Sequence, residues 1–461
     1  MTQCKTRLSR GMRETSFPAM YFTEATQRRF AGRFTVVKQP AAGGAPAQRD
    51  PRVVETVTRM LGQIRAGGLD AVTRYAAELD GYDGRPLEIS RDEMRRGGAK
   101  LPGELRAAIE LGAERTAAFA KASRAALKDL EVELEPGLVA GYRYVPVPRV
   151  GAYLPAGRFP LTASAFMTVN VAKAAGVPSV VACTPPQPDG GPHPAVLYAA
   201  YVSGADRVFL LGGVQALAAM AYGLVGDAPA DMLVGAGNAF VAEAKRQLFG
   251  AVAIDLPAGP SEVAVLADET ADPELVAADL LGQAEHGPDS PAALVTTSAG
   301  LAERVAAEVD RQLSGLATAP IAGPAWRDHG SITVAADRST AAALMDDLAP
   351  EHLEVQTADD EWYHEHLTAY GSLFLGPWST VAYSDKGMAG TNHVLPTAGG
   401  ARHSAGLSVS RFLRPLTYQR VGRDATPALA GAVETISASE GMAAHRATAA
   451  LRTGRLSRQE V

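Results

Sequence analysis

Cysteine is nearly absent: Cys4 and Cys183 are the only two in 461 residues. That excludes a disulfide framework and any zinc knuckle built on paired thiolates, and it fits a reducing cytoplasm. Charge of either sign is also in short supply. Lys and Arg number 44 against 50 Asp and Glu, a net of -6, so neither nucleic acid nor an anionic membrane is an expected partner. No apolar run reaches the ~18 residues a membrane span needs. Residues 1–50 lack the hydrophobic core of a secretion signal and are expected to be an N-terminal extension, with an organelle transit peptide as the other reading. Two common catalytic signatures are missing as well: His-Glu-x-x-His, and Gly-x-Gly-x-x-Gly with an acid about twenty residues on.

What is present is a large apolar inventory, 47% of residues, enough for two or three cored domains. Pro40–Pro51 reads as a linker. Val53–Asp80 carries helical periodicity through Val54, Val57, Met60, Leu61 and Ile64, and a second helix is expected from about Pro102 to Asp129. Short β-branched runs then alternate with Ala-rich helical stretches. Strands are expected at Arg149–Leu154, Ser179–Thr184, Arg207–Leu211, Ala251–Leu256, Glu262–Ala267 and Ala292–Thr297. Helices are expected at Ala163–Ala175, Pro194–Ser203, Val214–Gly223 and Pro273–Glu285. This alternation predicts an α/β fold with doubly wound parallel sheets. The last fifty-five residues read as mainly helical, and no internal repeat is visible.

Three Gly-bearing turns follow expected strands: Pro155-Ala156-Gly157, Gly212-Gly213-Val214-Gln215 and Gly235-Ala236-Gly237-Asn238. At the carboxyl ends of parallel strands such turns suit a phosphate-bearing ligand, although tight turns with no ligand explain them about equally well. Four polar clusters stand out further along. Gln283 and His286, three residues apart, share one face of a helix stopped by Gly287-Pro288; a helix-dipole role for His286 is the alternative. Glu351-His352 pairs a carboxylate with an imidazole, suited to general acid–base work or simply to an exposed helix start. Ser384-Asp385-Lys386-Gly387 leads into Gly390-Thr391-Asn392-His393, and Glu440 precedes His445 near the C-terminus. Gln283, His286, Asp385 and His445 together offer two nitrogens and two oxygens, a donor set that suits zinc, with cobalt or manganese as substitutes.

From about residue 50 onward the chain resembles the histidinol dehydrogenase family. The resemblance is carried by Gly151-Ala152-Tyr153-Leu154-Pro155, Gly212-Gly213-Val214-Gln215-Ala216, Gly237-Asn238-Ala239-Phe240-Val241-Ala242-Glu243-Ala244-Lys245-Arg246, Ala258-Gly259-Pro260-Ser261-Glu262, Gln283-Ala284-Glu285-His286-Gly287, Pro350-Glu351-His352 and Gly390-Thr391-Asn392-His393-Val394-Leu395-Pro396-Thr397. It implies zinc on Gln283, His286, Asp385 and His445, with Glu351 activating water and His352 as general base. It also implies NAD against Tyr153, Gln215 and Asn238, and substrate against Ser261 and Glu440. The implied chemistry is oxidation of a primary alcohol through an aldehyde to a carboxylate, in two hydride transfers to NAD. The implied fold is two Rossmann-like domains with an incomplete dinucleotide motif and a small C-terminal helical region, forming a domain-swapped homodimer whose C-terminal region completes the partner's site. Domain limits are expected at 51–150 with 263–345, 151–262 with 346–406, and 407–461.

The sequence departs from the family pattern in ways that bear on substrate. Asp385 lies five residues before Gly390 where the family usually has four, so one residue must be absorbed. Gly157-Arg158-Phe159-Pro160 places a cation where histidinol enzymes are usually uncharged. With Ser384-Asp385-Lys386, Ser290-Pro291-Ala292 and Thr417-Tyr418-Gln419-Arg420, it looks more like the sulfopropanediol 3-dehydrogenase branch. Histidinol is cationic, whereas a sulfonated diol carries a fixed negative charge that Arg158 or Lys386 would pair. Arg158 as a pyrophosphate contact or a surface residue is the plainer reading, and L-histidinol is the alternative substrate. A thiol-dependent aldehyde dehydrogenase using Cys183 is the chemically distinct rival, against a buried core role for that residue.

Overall fold

Two six-stranded sheets, each covered by helices on both faces, organise the chain. The computed structural model describes residues 22–41, 50–157, 159–257 and 259–459. The first sheet contains β2 (Glu88–Ile89), β5 (Arg149–Tyr153), β6 (Ser179–Thr184), β7 (Arg207–Leu210), β8 (Met232–Val234) and β9 (Ala253–Ile254), in the order β2-β7-β6-β5-β8-β9. The second contains β1 (Phe34–Lys38), β10 (Val263–Ala267), β11 (Ala292–Thr296), β12 (Gly330–Ala335), β13 (His352–Gln356) and β14 (Ser372–Leu375), in the order β1-β12-β11-β10-β13-β14. In each sheet five parallel strands reverse direction of winding beside the first, and one antiparallel strand joins the edge next to the third. The topology therefore repeats although the residues do not.

The strands are nearly continuous apolar runs because both faces are buried. Along β5, β6 and β7, Val150, Ala152, Val180, Ala182, Val208 and Leu210 enter one core, while Tyr153, Cys183, Phe209 and Leu211 enter the other. Helix α2 (Pro51–Asp80) starts on the Asp50 cap and Pro51, breaks at Gly68 with φ 59°, and ends at left-handed Gly81. It packs on α4 (Gly213–Ala221) and α5 (Ala239–Leu248), and α3 (Gly103–Ala126) covers the opposite face.

Sheet membership differs from the expected domain limits. The helices of 51–126 and β2 belong with the first sheet, β3 and β4 pair with β15, and β13 and β14 join the sheet of β10–β12. The physical reason is pairing: β10 lies between β11 and β13 in register, Val263 opposite both Ala292 and His352. The N-terminal extension is also folded in part, because α1 (Glu24–Arg29) leads into β1, which pairs with β12. Residues 1–21 and 42–49, which include most of the expected linker, lie outside the described residues.

The C-terminal region is not purely helical. A nine-residue strand, β15 (Leu413–Val421), pairs with β4 (Leu138–Pro146), which also pairs with β3 (Leu130–Glu135). Helices α9 (Thr426–Ser439) and α10 (Ala443–Gln459) follow and pack mainly on each other. This arm leaves Leu130, Leu134, Leu416 and Ile436 exposed. Among the described residues no helix is long and apolar enough to cross a membrane.

Candidate active site

The site forms where the chain passes from the first sheet to the second. Ser261 and Glu262 enter β10, and Glu351 and His352 enter β13 beside it, so all four stand at the amino ends of the second sheet's strands. The strand entry is tightly constrained: Ala349, which closes α7 (Arg338–Leu348), has φ 48°. Glu351 Oε2 accepts from Ser261 Oγ at 2.7 Å and from Glu262 N at 2.8 Å, and Glu262 Oε1 accepts from Glu351 N at 3.3 Å. Burial raises both carboxyls to about 8, with repulsion between them adding to Glu262.

His352 is 3% exposed. Its Nδ1 lies 2.9 Å from Glu262 O and 3.4 Å from Glu351 Oε2. A carbonyl can only accept, so Nδ1 carries the hydrogen and the Nε2 lone pair is left free. Nε2 is buried without a partner among the described residues. Burial lowers the pKa of the ring, which keeps it a neutral base at neutral pH.

Helix α6 (Pro273–Ala284) starts on the Asp272 cap and returns along the sheet, bringing its last turn to the same edge. Gln283 is 2% exposed, yet among the described residues neither its Oε1 nor its Nε2 has a partner. An amide buried with both ends unsatisfied is costly and calls for a missing ligand. His286 is open to solvent on one side. Burial on the other lowers its pKa, against a raising effect from Asp385. Asp385 ends the short helix α8 (Val381–Asp385). Burial would raise its carboxyl, but His393, Lys386 and His286 together hold it down at about 2. The extra residue before Gly390 is absorbed by a turn in which Gly387 and Gly390 have φ 79° and 81°. That turn packs on the first sheet's helices: Arg115 donates to Met388 O at 2.8 Å, and Asn392 Nδ2 donates to Met167 O at 2.8 Å within the π-helical segment Phe166–Asn170.

His286, Asp385, Glu351 and His352 thus lie within reach of one another's charge, with Gln283 one turn before His286, but His445 does not join them. It is exposed on α10, as is Glu440 at the end of α9. Among the described residues no three His, Cys, Asp or Glu groups gather to hold a metal.

The other expected binding residues stand at the carboxyl ends of the first sheet, beside the reversal between β5 and β8. Tyr153 Oη accepts from Gly213 N at 3.2 Å, and its phenol is pushed up to about 12 by burial. Gln215 Nε2 donates to Asp80 Oδ2 at 2.7 Å while its buried Oε1 has no partner among the described residues. Asn238 Oδ1 caps α5, accepting from Phe240 N and Val241 N at 3.1 Å. The glycines of this edge answer to packing: a Cβ on Gly235 would lie 2.3 Å from Tyr153 O, and one on Gly237 would lie 2.6 Å from Val241.

Comparison with known proteins identifies the family. The histidinol dehydrogenase family model matches residues 45–453. The chain belongs to the histidinol dehydrogenase family. A histidinol dehydrogenase homolog of Ruegeria pomeroyi is 48% identical over 92% of this chain and 98% of that one. The sulfopropanediol 3-dehydrogenase of the same organism is 45% identical over 87% and 92%. The crystal structure of histidinol dehydrogenase from Elizabethkingia anophelis superposes with a TM-score of 0.85, at 34% identity over 90% of this chain and 95% of that one. As a histidinol dehydrogenase family member the protein is an oxidoreductase of alcohols and aldehydes.

Several site neighbours escaped the sequence reading. His393, quoted there without a role, has Nδ1 3.3 Å from Asp385 Oδ1; its position in the Gly390–Thr397 motif was the available signal. Glu262 was visible only as the neighbour of Ser261. Asp80, which holds Gly212 N at 3.0 Å as well as Gln215, had no local signal at the end of a long helix. Lys386 is exposed and paired with Asp385, and Arg158 lies outside the described residues. Cys183 is fully buried on β6 and burial pushes its thiol well up, so it lacks the thiolate a nucleophile needs.

Proposed function

We propose that this protein is a zinc- and NAD-dependent dehydrogenase that oxidises a primary alcohol, through an aldehyde, to a carboxylate. The observation that carries the reading is the buried Gln283 amide with both ends unsatisfied, beside a strongly acidic Asp385 and a neutral His286. An amide oxygen, a carboxylate and an imidazole are a donor set for zinc, so the residues fit the metal the family implies. His445 is the fourth expected ligand and is held away on the C-terminal arm. A second copy of the chain would supply it, and Glu440 with it, and the exposed apolar residues of the arm support such a homodimer.

Zinc when bound supplies the positive charge that acidifies a hydroxyl in the cleft, and NAD supplies the hydride acceptor. The chain's own groups do the proton work. His352 takes the hydroxyl proton at Nε2, its Nδ1 anchored on Glu262 O. Glu351, with Oε2 held by Ser261 and Glu262 N, has Oε1 left to draw a proton from the water that adds to the aldehyde. Tyr153, Gln215 and Asn238 would hold the dinucleotide, the free Gln215 Oε1 being the acceptor without a partner.

For the substrate, a small anionic diol such as 2,3-dihydroxypropane-1-sulfonate is favoured. Lys386 brings a cation to the site, and a relative 45% identical is named sulfopropanediol 3-dehydrogenase. Against this, the E. anophelis structure bears the name histidinol dehydrogenase, which keeps L-histidinol as the second reading. NADH formation by the zinc-loaded protein on the two substrates at equal concentration separates them. Faster turnover of the sulfonate, with two NADH per molecule, is the expected result; preference for L-histidinol would overturn the anionic reading.

A further inference from the structure

Behind the candidate site lies a second tier of polar side chains that the chemistry above does not use. On α6, Asp279 precedes Gln283 by four residues, so the two share one helical face, and His286 follows just past the helix's end. On β13, His352, Glu354 and Gln356 alternate onto one face of the sheet. Thr380 caps α8, Val381 begins it, and Asp385 ends it. Each of the three elements therefore carries one residue at the cleft and another one step deeper.

The deeper residues bond to one another. The Asp279 and Glu354 carboxyls are hydrogen-bonded. Gln356 Nε2 donates to Asp279 Oδ2 at 2.9 Å, and Thr380 Oγ1 donates to Asp279 Oδ1 at 2.9 Å. Val381 N donates to Glu354 Oε1 at 3.0 Å. Glu354 and Gln356 are 0% and 2% exposed. Two carboxyls hydrogen-bond to each other only when one holds a proton, and burial, which raises both, keeps it there. Apolar contact alone lets a helix slide or roll against a sheet. A buried set of directional bonds does not, because each displaced partner is left unsatisfied in a low dielectric.

We propose that the Asp279–Glu354 pair is a positioning device that locks α6, β13 and α8 in one register, so that Gln283, His286 and Asp385 meet His352; this rests on the reading above of Gln283, His286 and Asp385 as metal ligands. Asp279 and Glu354 touch neither substrate nor metal in this scheme. They act through the elements that carry the ligands, as outer partners of metal sites commonly do.

Full-length protein is titrated with zinc against a chromogenic chelator, and kcat and KM are measured alongside, for the parent, Glu354→Ala, Glu354→Gln and Thr380→Val. Glu354→Ala strands both Val381 N and Asp279, and is expected to weaken zinc binding by about 10–100-fold and to lower kcat, with the KM for NAD unchanged. Glu354→Gln donates to Asp279 and accepts from Val381 N without needing a shared proton, and is expected to restore both. Thr380→Val removes one donor, gives an intermediate loss, and decides the matter should Glu354→Ala fail to fold. Zinc affinity in Glu354→Ala or Thr380→Val equal to the parent's would overturn the proposal, as would a Glu354→Gln variant as impaired as Glu354→Ala. A parent that binds no zinc sinks the metal reading instead. The kcat series then decides the positioning role: a fall in Glu354→Ala restored by Glu354→Gln upholds it, and an unchanged kcat refutes it.

Discussion

Lys245→Met puts the cofactor-side edge of the first sheet to a quantitative test. Lys245 and Asp255 form an ion pair whose side chains are 1% and 0% exposed. Lys245 Nζ also donates to Gly235 O at 2.9 Å, and Asp255 Oδ2 accepts from Gly235 N at 2.8 Å. Both backbone polar groups of Gly235 thus end on the pair. With φ 119° and Tyr153 O pressed against it, this turn has little room to relax. In the variant the Asp255 carboxylate stays buried without its cation, and Gly235 O loses a donor. Removing one side of a buried ion pair costs about 3–5 kcal/mol, mostly the stranded charge. At about 2–4 °C per kcal/mol for a unit of this size, the melting temperature should drop by roughly 10 °C. Differential scanning calorimetry of the single variant and of Lys245→Met/Asp255→Leu measures it. The double variant removes the stranded charge and should recover most of the loss. A single variant melting within about 2 °C of the parent, or a double variant no better than the single, would show that the pair does not hold the turn.

Three further outcomes are expected. Glu351 is raised to about 8 by burial; a base must be ionised to act, so kcat/KM should climb as pH rises through about 8, and Glu351→Gln should flatten that limb. His352→Asn keeps a donor for Glu262 O but has no basic nitrogen, so kcat should fall by about 10²–10⁴-fold while the melting temperature stays close to the parent's; a variant retaining most of its turnover would remove His352 from the chemistry. Cys183→Ser should keep its turnover, because the thiol is buried and un-ionised; loss of activity in a folded variant would revive the thiol mechanism.

Much of the fold was legible because parallel strands buried on both faces leave unbroken apolar runs, and because Asp50-Pro51, Asp272-Pro273 and Gly81 mark helix ends chemically. β15 was not legible. Leu413–Val421 interleaves Arg, Pro, Thr and Gln with apolar residues and is exposed along nearly its whole length, so no burial pattern was written into it. Which strands share a sheet was illegible for another reason: β13 lies beside β10 through pairing across about ninety residues, which no local pattern reports. The topological repeat was hidden likewise, since two sheets can share a strand order without sharing side chains. In the site, Glu351, His352, Gln283, His286 and Asp385 came from spacing and resemblance; His286, Asp385, Glu351 and His352 lie within reach of one another's charge. His445 and Glu440 carried the same kind of signal but stand on an arm away from the cluster.

The two like-wound sheets serve opposite poles. The first offers the carboxyl ends of its strands to the cleft, with Tyr153, Gln215 and Asn238; the second offers its amino ends, with Glu262, Glu351 and His352. Its own carboxyl pole is stoppered: Asp268 accepts from Thr270 N and Ala358 N at 3.0 and 2.9 Å, and Asp360 from Thr357 N at 2.9 Å. These carboxylates take up the backbone donors that a phosphate would want and repel it by charge. One winding pattern thus leaves an open carboxyl edge in one copy and a closed end in the other. The loops at that closed end, Asp268–Asp272 and Thr357–Asp360, stand a full strand length from Ser261, Glu262, Glu351 and His352.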